Sequence, residues 1–174
     1  MQVTISANGK NIKAEISEEQ AKILGLVEDK PKTGYESLGT GETYYLVDVD
    51  DEITTMKYDS RLDRDCYDVG NYYSDKVIAE NNARADRLLR QLRQWQALND
   101  KPISQSDWED NGKNKWCILY SYGAEKLYVD YFHYIRLHNV IYFTTKEKAE
   151  EAIEVFKDEL KWYYTKYQQR LDEE

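Results

Sequence analysis

Residues that hold metals and cross-links are scarce in this sequence. Its 174 residues include two cysteines, Cys66 and Cys117, and two histidines, His133 and His138. The cysteines are far apart and no C-x-x-C occurs. A zinc site needs four ligands, or three and a water, usually in closely spaced pairs. We therefore expect reduced thiols, no disulfide framework, no metal site and no other cofactor.

Long apolar runs are missing as well. No segment approaches the roughly 20 apolar residues that span a bilayer. The first ten residues, MQVTISANGK, contain no apolar core of a signal peptide. We therefore expect a cytoplasmic protein that makes no contact with a membrane.

The sequence also lacks the common motifs of catalysis. Neither G-x-S-x-G nor H-E-x-x-H occurs. The glycine-rich segment 34–41, GYESLGTG, lacks the Gly-Lys-Ser/Thr ending of a phosphate loop. Glu150 and Glu154 lie one helical turn apart, but lysines near them favour solvated glutamates over an acid–base pair. We expect no catalytic residue and no enzymatic activity.

Apolar residues, tyrosine and acidic residues are plentiful. The apolar fraction of 41% suffices for a core, and 16 tyrosines suit half-exposed sheets and contact surfaces. The net charge is −9. Sequence-independent DNA binding needs lysine and arginine to replace counterions, so we expect no direct DNA binding. The charge favours a cationic partner or simply solubility.

The segment Val140–Tyr167 has the clearest secondary-structure pattern. A short apolar strand leads into a helix, for which Thr144 is the predicted N-cap and Glu147 closes a capping box. Apolar residues then recur at steps of three and four, which indicates one buried helix face. That face comprises Ala149, Ile153, Phe156, Leu160, Tyr163 or Tyr164, Tyr167 and Leu171.

A weaker copy of this pattern occurs about seventy residues earlier, at Val69–Trp95. Tyr72-Tyr73-Ser74 matches Tyr142-Phe143-Thr144, and Lys76, Ala79 and Glu80 match Lys146, Ala149 and Glu150. We therefore predict two βββα repeats, residues 42–100 and 115–174, joined by a linker at 101–114. Neither unit buries both its sheet and its helix alone, so we expect them to pack around a common core.

The predicted elements of the first repeat are strands at Thr43–Val49, Ile53–Tyr58 and Gly70–Tyr73, a polar loop at Asp59–Val69, and a helix from Asp75 to about Asn99 capped by Ser74. Those of the second are strands at Trp116–Tyr122, Lys126–Tyr131 and Val140–Phe143 before the last helix.

Residues 1–41 are predicted to form an N-terminal ββα arm and a linker. Gln2–Ser6 and Asn11–Ile16 flank Asn8-Gly9, which suits a type I′ hairpin turn. Ser17–Gln20 reads as a capping box for a short helix that ends at Gly25. Lys30–Gly41 is the linker. The fold class is therefore α+β, with antiparallel meanders that are each packed by a long helix.

Acidic residues cluster in residues 48–68. Eight acids stand against Lys57, Arg61 and Arg64, which gives this segment a net charge of −5. One interpretation is a solvated hairpin edge whose charges oppose aggregation. The other is a surface that imitates the phosphates of nucleic acid and competes for a basic groove. Its candidate contact residues are Asp50, Asp51, Glu52, Asp63, Asp65 and Asp68.

The first long helix carries four arginines at three-residue spacing, namely Arg84, Arg87, Arg90 and Arg93. Such a stripe could contact RNA or an acidic partner. It could equally be a solvated face, or it could meet the acidic hairpin within the molecule.

Four segments resemble small acidic accessory proteins of phages and prophages of low-GC Gram-positive bacteria. They are NGKNIKAEISEEQ (8–20), KTGYE (32–36), GETYY (41–45) and YFTTKEKAEEA (142–152). The resemblance runs over nearly the whole chain, but its motifs are turns, a linker and helix caps.

This resemblance implies a protein of the bacterial host cytoplasm. Small acidic phage proteins of this kind include inhibitors of bacterial defence. Some proteins of this kind resemble type II anti-CRISPR proteins, which bind the RNA-guided effector nuclease with its guide RNA. Many present acidic residues to the basic site that reads the protospacer-adjacent motif. We hypothesise such an inhibitor, with two alternatives: a phage structural or regulatory protein that self-associates through its tyrosine-rich sheet, or a nucleic-acid-binding protein that uses the arginine stripe.

Overall fold

The structure is a computed structural model that describes residues 2–7, 10–26, 32–59 and 61–173. The chain divides into two compact units, residues 1–33 and 34–174. Helices combine with small antiparallel sheets in an α+β fold, as predicted. None of the helices in these ranges is both long and apolar enough to cross a membrane.

The first unit contains the predicted hairpin and short helix. Strand β1 (Gln2–Ala7) pairs antiparallel with β2 (Lys10–Glu15), and helix α1 spans Glu18–Ile23. The Ser17 hydroxyl accepts the Gln20 amide at 3.1 Å, and the Gln20 side chain accepts the Ser17 amide at 3.0 Å. This confirms the predicted capping box. The predicted turn at Asn8-Gly9 lies outside the described residues.

The second unit begins with residues that the sequence predicted to be a linker. Gly34 is buried, with a positive φ of 93°, and its carbonyl accepts the Ser74 amide at 2.8 Å. A Cβ at Gly34 would lie 2.7 Å from the Ile78 side chain, so only glycine fits. Tyr35 packs against the cluster around Ile78. Residues 34–41 therefore belong to the folded unit.

A hairpin and a long helix follow. Strands β3 (Thr43–Val47) and β4 (Ile53–Lys57) pair antiparallel, ahead of the two helices α2 (Arg61–Asp68) and α3 (Lys76–Asn99). The predicted third strand is reduced to one bridge, in which Tyr73 and Tyr45 exchange both backbone hydrogen bonds.

The N-cap of α3 is Asp75 and not the predicted Ser74. The Asp75 carboxylate accepts the amides of Val77 at 2.8 Å and Ile78 at 3.1 Å. A carboxylate also suits the positive end of the helix dipole. The hydroxyl of Ser74 donates instead to Glu36 at 2.6 Å.

Helix α2 occupies the segment Asp59–Val69, which was wrongly predicted as a loop. The segment has few apolar residues and many charged ones, which is typical of a loop in a sequence. The buried member of α2 is an acid, Asp63. A second correction concerns residues 101–114, where the short helix α4 (Gln105–Glu109) forms behind a Ser104 capping box.

The last part of the chain forms a three-stranded sheet and a helix. Strands β5 (Lys115–Ser121), β6 (Lys126–Phe132) and β7 (Tyr142–Phe143) lie in the order β6-β5-β7, and helix α5 spans Lys146–Thr165. Phe156 has a non-helical φ of −111°, which kinks α5.

Thr145 is the N-cap of α5, and the predicted cap at Thr144 is wrong. The Thr145 hydroxyl accepts the Lys148 amide at 3.2 Å. Thr144 is instead bound by Asp100, whose carboxylate accepts its amide at 2.7 Å and its hydroxyl. The predicted capping box between Thr144 and Glu147 is therefore not formed.

Both long helices contribute to one apolar core. Partly buried side chains, among them Ile153 and Phe156 of the predicted helix face, pack around it. Its buried members are Leu88 and Leu92 of α3, Ala149, Ala152 and Leu160 of α5, and Ile118 and Phe143 of the sheet. The fully buried alanines allow the α5 backbone to approach the sheet closely.

We expect Leu160→Ala to lower the free energy of unfolding by about 2–4 kcal/mol, because Leu160 is 4% exposed and its truncation leaves a cavity in this core. Val155→Ala on the same helix is the control. Val155 is 60% exposed, so its truncation should change stability by less than about 0.5 kcal/mol. Equal losses in urea denaturation would contradict this assignment of helix faces.

Candidate binding surface

The acidic turn between β3 and β4 is shaped by its own aspartates. Asp51 adopts a left-handed φ of 65°, and its amide donates to the Asp48 carbonyl at 3.0 Å. The Asp48 carboxylate accepts the Val49 amide at 2.6 Å. Aspartate tolerates such turns because its side chain bonds the local backbone. Turn chemistry thus accounts for part of the acidic cluster, while Asp50 and Glu52 are exposed.

Asp51 is bound within the molecule by two arginines of α3. Its carboxylate accepts hydrogen bonds from Arg87 at 3.1 Å and from Arg90. The Arg87 guanidinium also donates to the Asp51 carbonyl at 3.2 Å. The hydrogen bond from Arg90, followed by that from Arg87, holds the pKa of Asp51 below its usual range. Asp51 thus fastens the hairpin to α3.

Asp63 has a structural position that the sequence did not predict. It is 3% exposed, and its carboxylate accepts the Tyr44 hydroxyl at 2.6 Å and the Asp59 amide at 2.8 Å. Burial, together with the neighbouring Asp63, raises the pKa of Tyr44. The carboxylate anchors α2 to β3, so Asp63 is not available as a surface contact for a partner.

Four tyrosines surround this anchor and fix the position of α2. The Tyr44 and Tyr72 rings stack at 4.4 Å, while Tyr67 of α2 meets Tyr72 edge-on at 5.3 Å. Tyr58 meets Tyr72 edge-on at 6.4 Å. Aromatic pairs in these arrangements add to the energy of burial alone. Helix α2 is therefore held in place by packing against these aromatic rings.

The hairpin turn and the end of α2 lie beside one cleft. Asn71, just after α2, forms two hydrogen bonds of 2.8 Å with the Val47 backbone. A cleft of about 460 Å³ opens there, and Asp48, Asp51 and Asp86 contribute acidic groups to its wall. The structure thus brings the turn at 48–52 close to the C-terminal end of α2.

Four of the six predicted contact acids are exposed: Asp50, Glu52, Asp65 and Asp68. Within the described part of the chain, no lysine or arginine forms an ion pair with them. Arg61 and Arg64 are exposed on the same helix. The negative excess of this surface therefore lies at the turn rather than along all of α2.

Three of the four arginines on α3 contact acids of the same chain. Arg84 forms two 2.8 Å hydrogen bonds with Glu159 of α5 and lies 4.0 Å over the Trp162 ring. Arg87 and Arg90 hold Asp51, and Arg93 is exposed. The hydrogen bond with Glu159 raises the pKa of Arg84 and lowers that of Glu159. Most of the arginine stripe is therefore engaged in ion pairs within the molecule.

The other residues considered for catalysis or metal binding lie in separate parts of the structure. Glu150 and Glu154 pair with Lys146 and Lys157 along α5. Cys117 is buried, and burial raises the pKa of its thiol to about 11. Across residues 2–7, 10–26, 32–59 and 61–173, no group of three or more His, Cys, Asp or Glu side chains is placed to hold a metal ion.

Comparison of the chain with protein-family models, curated proteins and solved structures yields no match. The resemblance to phage accessory proteins thus stays a prediction from the sequence.

We expect Tyr44→Phe to lower the free energy of unfolding by about 1–3 kcal/mol, because it removes a hydrogen bond from the buried Asp63 carboxylate. Tyr67→Phe is the matched control, since Tyr67 belongs to the same aromatic cluster but is partly exposed. A similar loss in both variants, measured by urea denaturation, would argue against the anchor.

Asp51→Asn tests the contact between the turn and α3. A lowered pKa in the folded state means that the carboxylate stabilises the fold above its unfolded pKa of about 3.9, and that this stability is lost as the pH falls through the folded pKa. The variant should be less stable than wild type at pH 7, and the gap should close as the pH falls through the lowered pKa of folded Asp51. Asparagine also tolerates the left-handed turn, so the substitution adds no backbone strain.

The readout is the urea midpoint at each pH, with Asp50→Asn as the exposed control. The difference at pH 7 should also shrink in 1 M salt, because both arginines are partly exposed. A gap that is independent of pH would show that Asp51 does not act through its charge.

Proposed function

We propose that this chain is a non-enzymatic inhibitor that binds a cationic groove of a host defence nuclease through the acidic surface of the β3–β4 turn and α2. The observation that carries the proposal is the exposure of Asp50, Glu52, Asp65 and Asp68 without ion-pair partners in the described residues. Asp51 and Asp63 do not belong to the contact surface itself; their hydrogen bonds hold the turn and α2 in place.

A rigid acidic surface suits a groove that binds nucleic acid. Such grooves are lined by cations that hold phosphates, so carboxylates at fixed positions can compete for the same charges. The Tyr44–Asp63 hydrogen bond and the Asp51–Arg87 contact immobilise both parts of the surface. Less conformational entropy is then lost on binding than with a flexible acidic loop.

The ion pairs that the α3 arginines form within the molecule favour a protein target over a nucleic acid. Binding RNA through the stripe would require Arg84, Arg87 and Arg90 to leave Glu159 and Asp51. The net charge of −9 opposes the approach of a polyanion as well.

The sequence resemblance directs the choice of target to the type II CRISPR effector with its guide RNA. In that class of nuclease the protein itself recognises a short motif beside the target, through arginines in a basic site. A molecule that occupies this site would block DNA recognition before guide pairing begins.

Self-association is the second candidate function. Tyr122 and Tyr134 are each 72% exposed, and Tyr128 and Tyr131 of β6 are partly exposed. Exposed aromatic side chains are enriched at protein interfaces. A mass that rises with concentration in light scattering would support this candidate, whereas a monomer at all concentrations would contradict it.

We also infer that residues 42–100 and 115–174 are copies of one βββα unit. In both, the segment before the long helix pairs with the first strand of the hairpin: Tyr73 with Tyr45, and β7 with β5. A superposition that places the matched strands out of register would contradict the repeat.

The inhibition test is a DNA cleavage assay with purified effector, guide RNA and target. We expect wild type to inhibit cleavage, and the quadruple variant Asp50→Lys, Glu52→Lys, Asp65→Lys, Asp68→Lys to lose at least tenfold in potency. The control is Glu19→Lys, Glu109→Lys, Glu125→Lys, Asp158→Lys. Both variants change the net charge from −9 to −1, so any difference between them reflects position.

No inhibition at a large molar excess would contradict this choice of target. Full inhibition by the first variant, or equal losses in both, would contradict the acidic surface as the contact. Circular dichroism of each variant confirms that the fold is retained.

A further inference from the structure

Strand β6 forms one edge of the three-stranded sheet. In an antiparallel pair, opposite residues alternate between hydrogen-bonded and non-hydrogen-bonded positions. Val129 lies opposite Ile118, and Tyr131 lies opposite Trp116. The type of each pair decides which backbone groups of β6 face β5 and which face the open edge.

Two hydrogen bonds identify the pair types. The Ile118 carbonyl accepts the Tyr164 hydroxyl at 3.0 Å, and the Tyr131 amide donates to the Asp130 carboxylate at 2.8 Å. The Tyr131 amide has one hydrogen to donate and therefore points away from the β5–β6 ladder, and the outside donor at the Ile118 carbonyl agrees with the same alternation. It follows from the alternation that the amide and carbonyl of Val129 point towards the open edge.

A groove of about 730 Å³ lies between this edge and α5. Leu127 and Val129 of β6 and Ile153 of α5 supply its apolar lining. Its helical wall carries four glutamates at positions i, i+3, i+4 and i+7, which share one helix face. These are Glu147, Glu150, Glu151 and Glu154.

The four glutamates of the groove are exposed and therefore accessible to a cationic ligand. The lining also holds Lys126 and Lys146, while Lys148 and Lys157 contact two of the glutamates from outside it. Glu150, Glu151 and Glu154 form surface ion pairs with lysines of their own helix, at 3.2, 2.6 and 3.9 Å. Exposed pairs of this kind contribute little energy, so a cationic ligand can replace them.

We propose that this groove binds an extended segment of a partner protein that adds a fourth strand to β6 and carries lysine or arginine at alternate positions. The free backbone groups of β6 supply hydrogen bonds for strand addition. Side chains of an added strand alternate between its two faces, so every second one lies towards α5. Basic residues at those positions would reach the glutamates.

A second copy of this chain fits the edge less well. A two-fold symmetric β6–β6 pair would place the same surface of each molecule against the other. It would therefore bring the two glutamate rows close together, and like charges oppose such contacts. Charge complementarity favours the basic segment.

The probe is a fluorescein-labelled peptide, KTKVKTK, with blocked ends, and its charge-reversed form ETEVETE is the peptide control. Fluorescence anisotropy with the full chain should show saturable binding of the basic peptide that weakens with salt, and none of the acidic one. Val129→Pro should weaken binding at least tenfold, because it removes an edge amide without removing a β5–β6 hydrogen bond. Val155→Thr, at an exposed position of α5 outside the groove lining, should bind within about twofold of wild type.

Glu147→Lys is the second variant, and it leaves the strand untouched. It should also weaken binding and reduce its dependence on salt. Thermal unfolding and circular dichroism check that each variant folds.

Several outcomes would overturn the proposal. No binding of KTKVKTK up to millimolar concentration contradicts the groove as a site for a basic segment. Equal affinity of folded Val129→Pro and wild type contradicts strand addition, and equal affinity of Glu147→Lys contradicts the role of the glutamate row. A concentration-dependent dimer that Val129→Pro abolishes would show that a second copy occupies the edge. None of these results depends on the nuclease assay, so the two proposals can fail separately.

Discussion

The core shared by α3 and α5 is the contact on which the rest of the second unit depends. Leu88 and Leu92 reach it from one helix, Ala149, Ala152 and Leu160 from the other, and Ile118 and Phe143 close it from the sheet. A two- or three-stranded meander with one helix has too little apolar surface to be stable alone. When α3 and α5 pack against each other, their apolar faces are buried in one larger core. The charged residues of both helices then occupy the faces that point away from this core.

The arrangement of charge follows from that packing. With its leucines in the core, α3 presents Arg84 towards Glu159 of α5 and presents Arg87 and Arg90 towards Asp51 of the hairpin turn. The cations are thereby used inside the molecule, whereas many acids face solvent. The arginines of α3 look like a free basic stripe in the sequence, but three of them are paired with acids of the same chain. For this reason we favour a cationic protein partner over a nucleic acid.

Much of the fold was predictable from local patterns, and most of the errors have one cause, although α4 was missed despite its local capping box at Ser104. The hairpins, the Ser17 cap and both long helices have strong short-range signals in periodicity and capping. Helix α2 was missed because its inward-facing residue is Asp63, whose partner Tyr44 lies 19 residues away. The sequence favours Thr144 as the cap because Glu147 follows three residues later, but Asp100, 44 residues away, binds Thr144 and the cap is Thr145. Contacts distant along the chain decided each of these cases, as they did for Asp51 and its arginines.

We propose that the turn at residues 48–52 and helix α2 form the surface that meets a cationic partner. Hydrogen–deuterium exchange of the chain, alone and in complex with the guide-loaded effector nuclease, tests this proposal most directly. We expect slower exchange on binding in residues 48–52 and 61–68, with α3 unchanged. Protection confined to other segments, with these two exchanging as in the free chain, would contradict it.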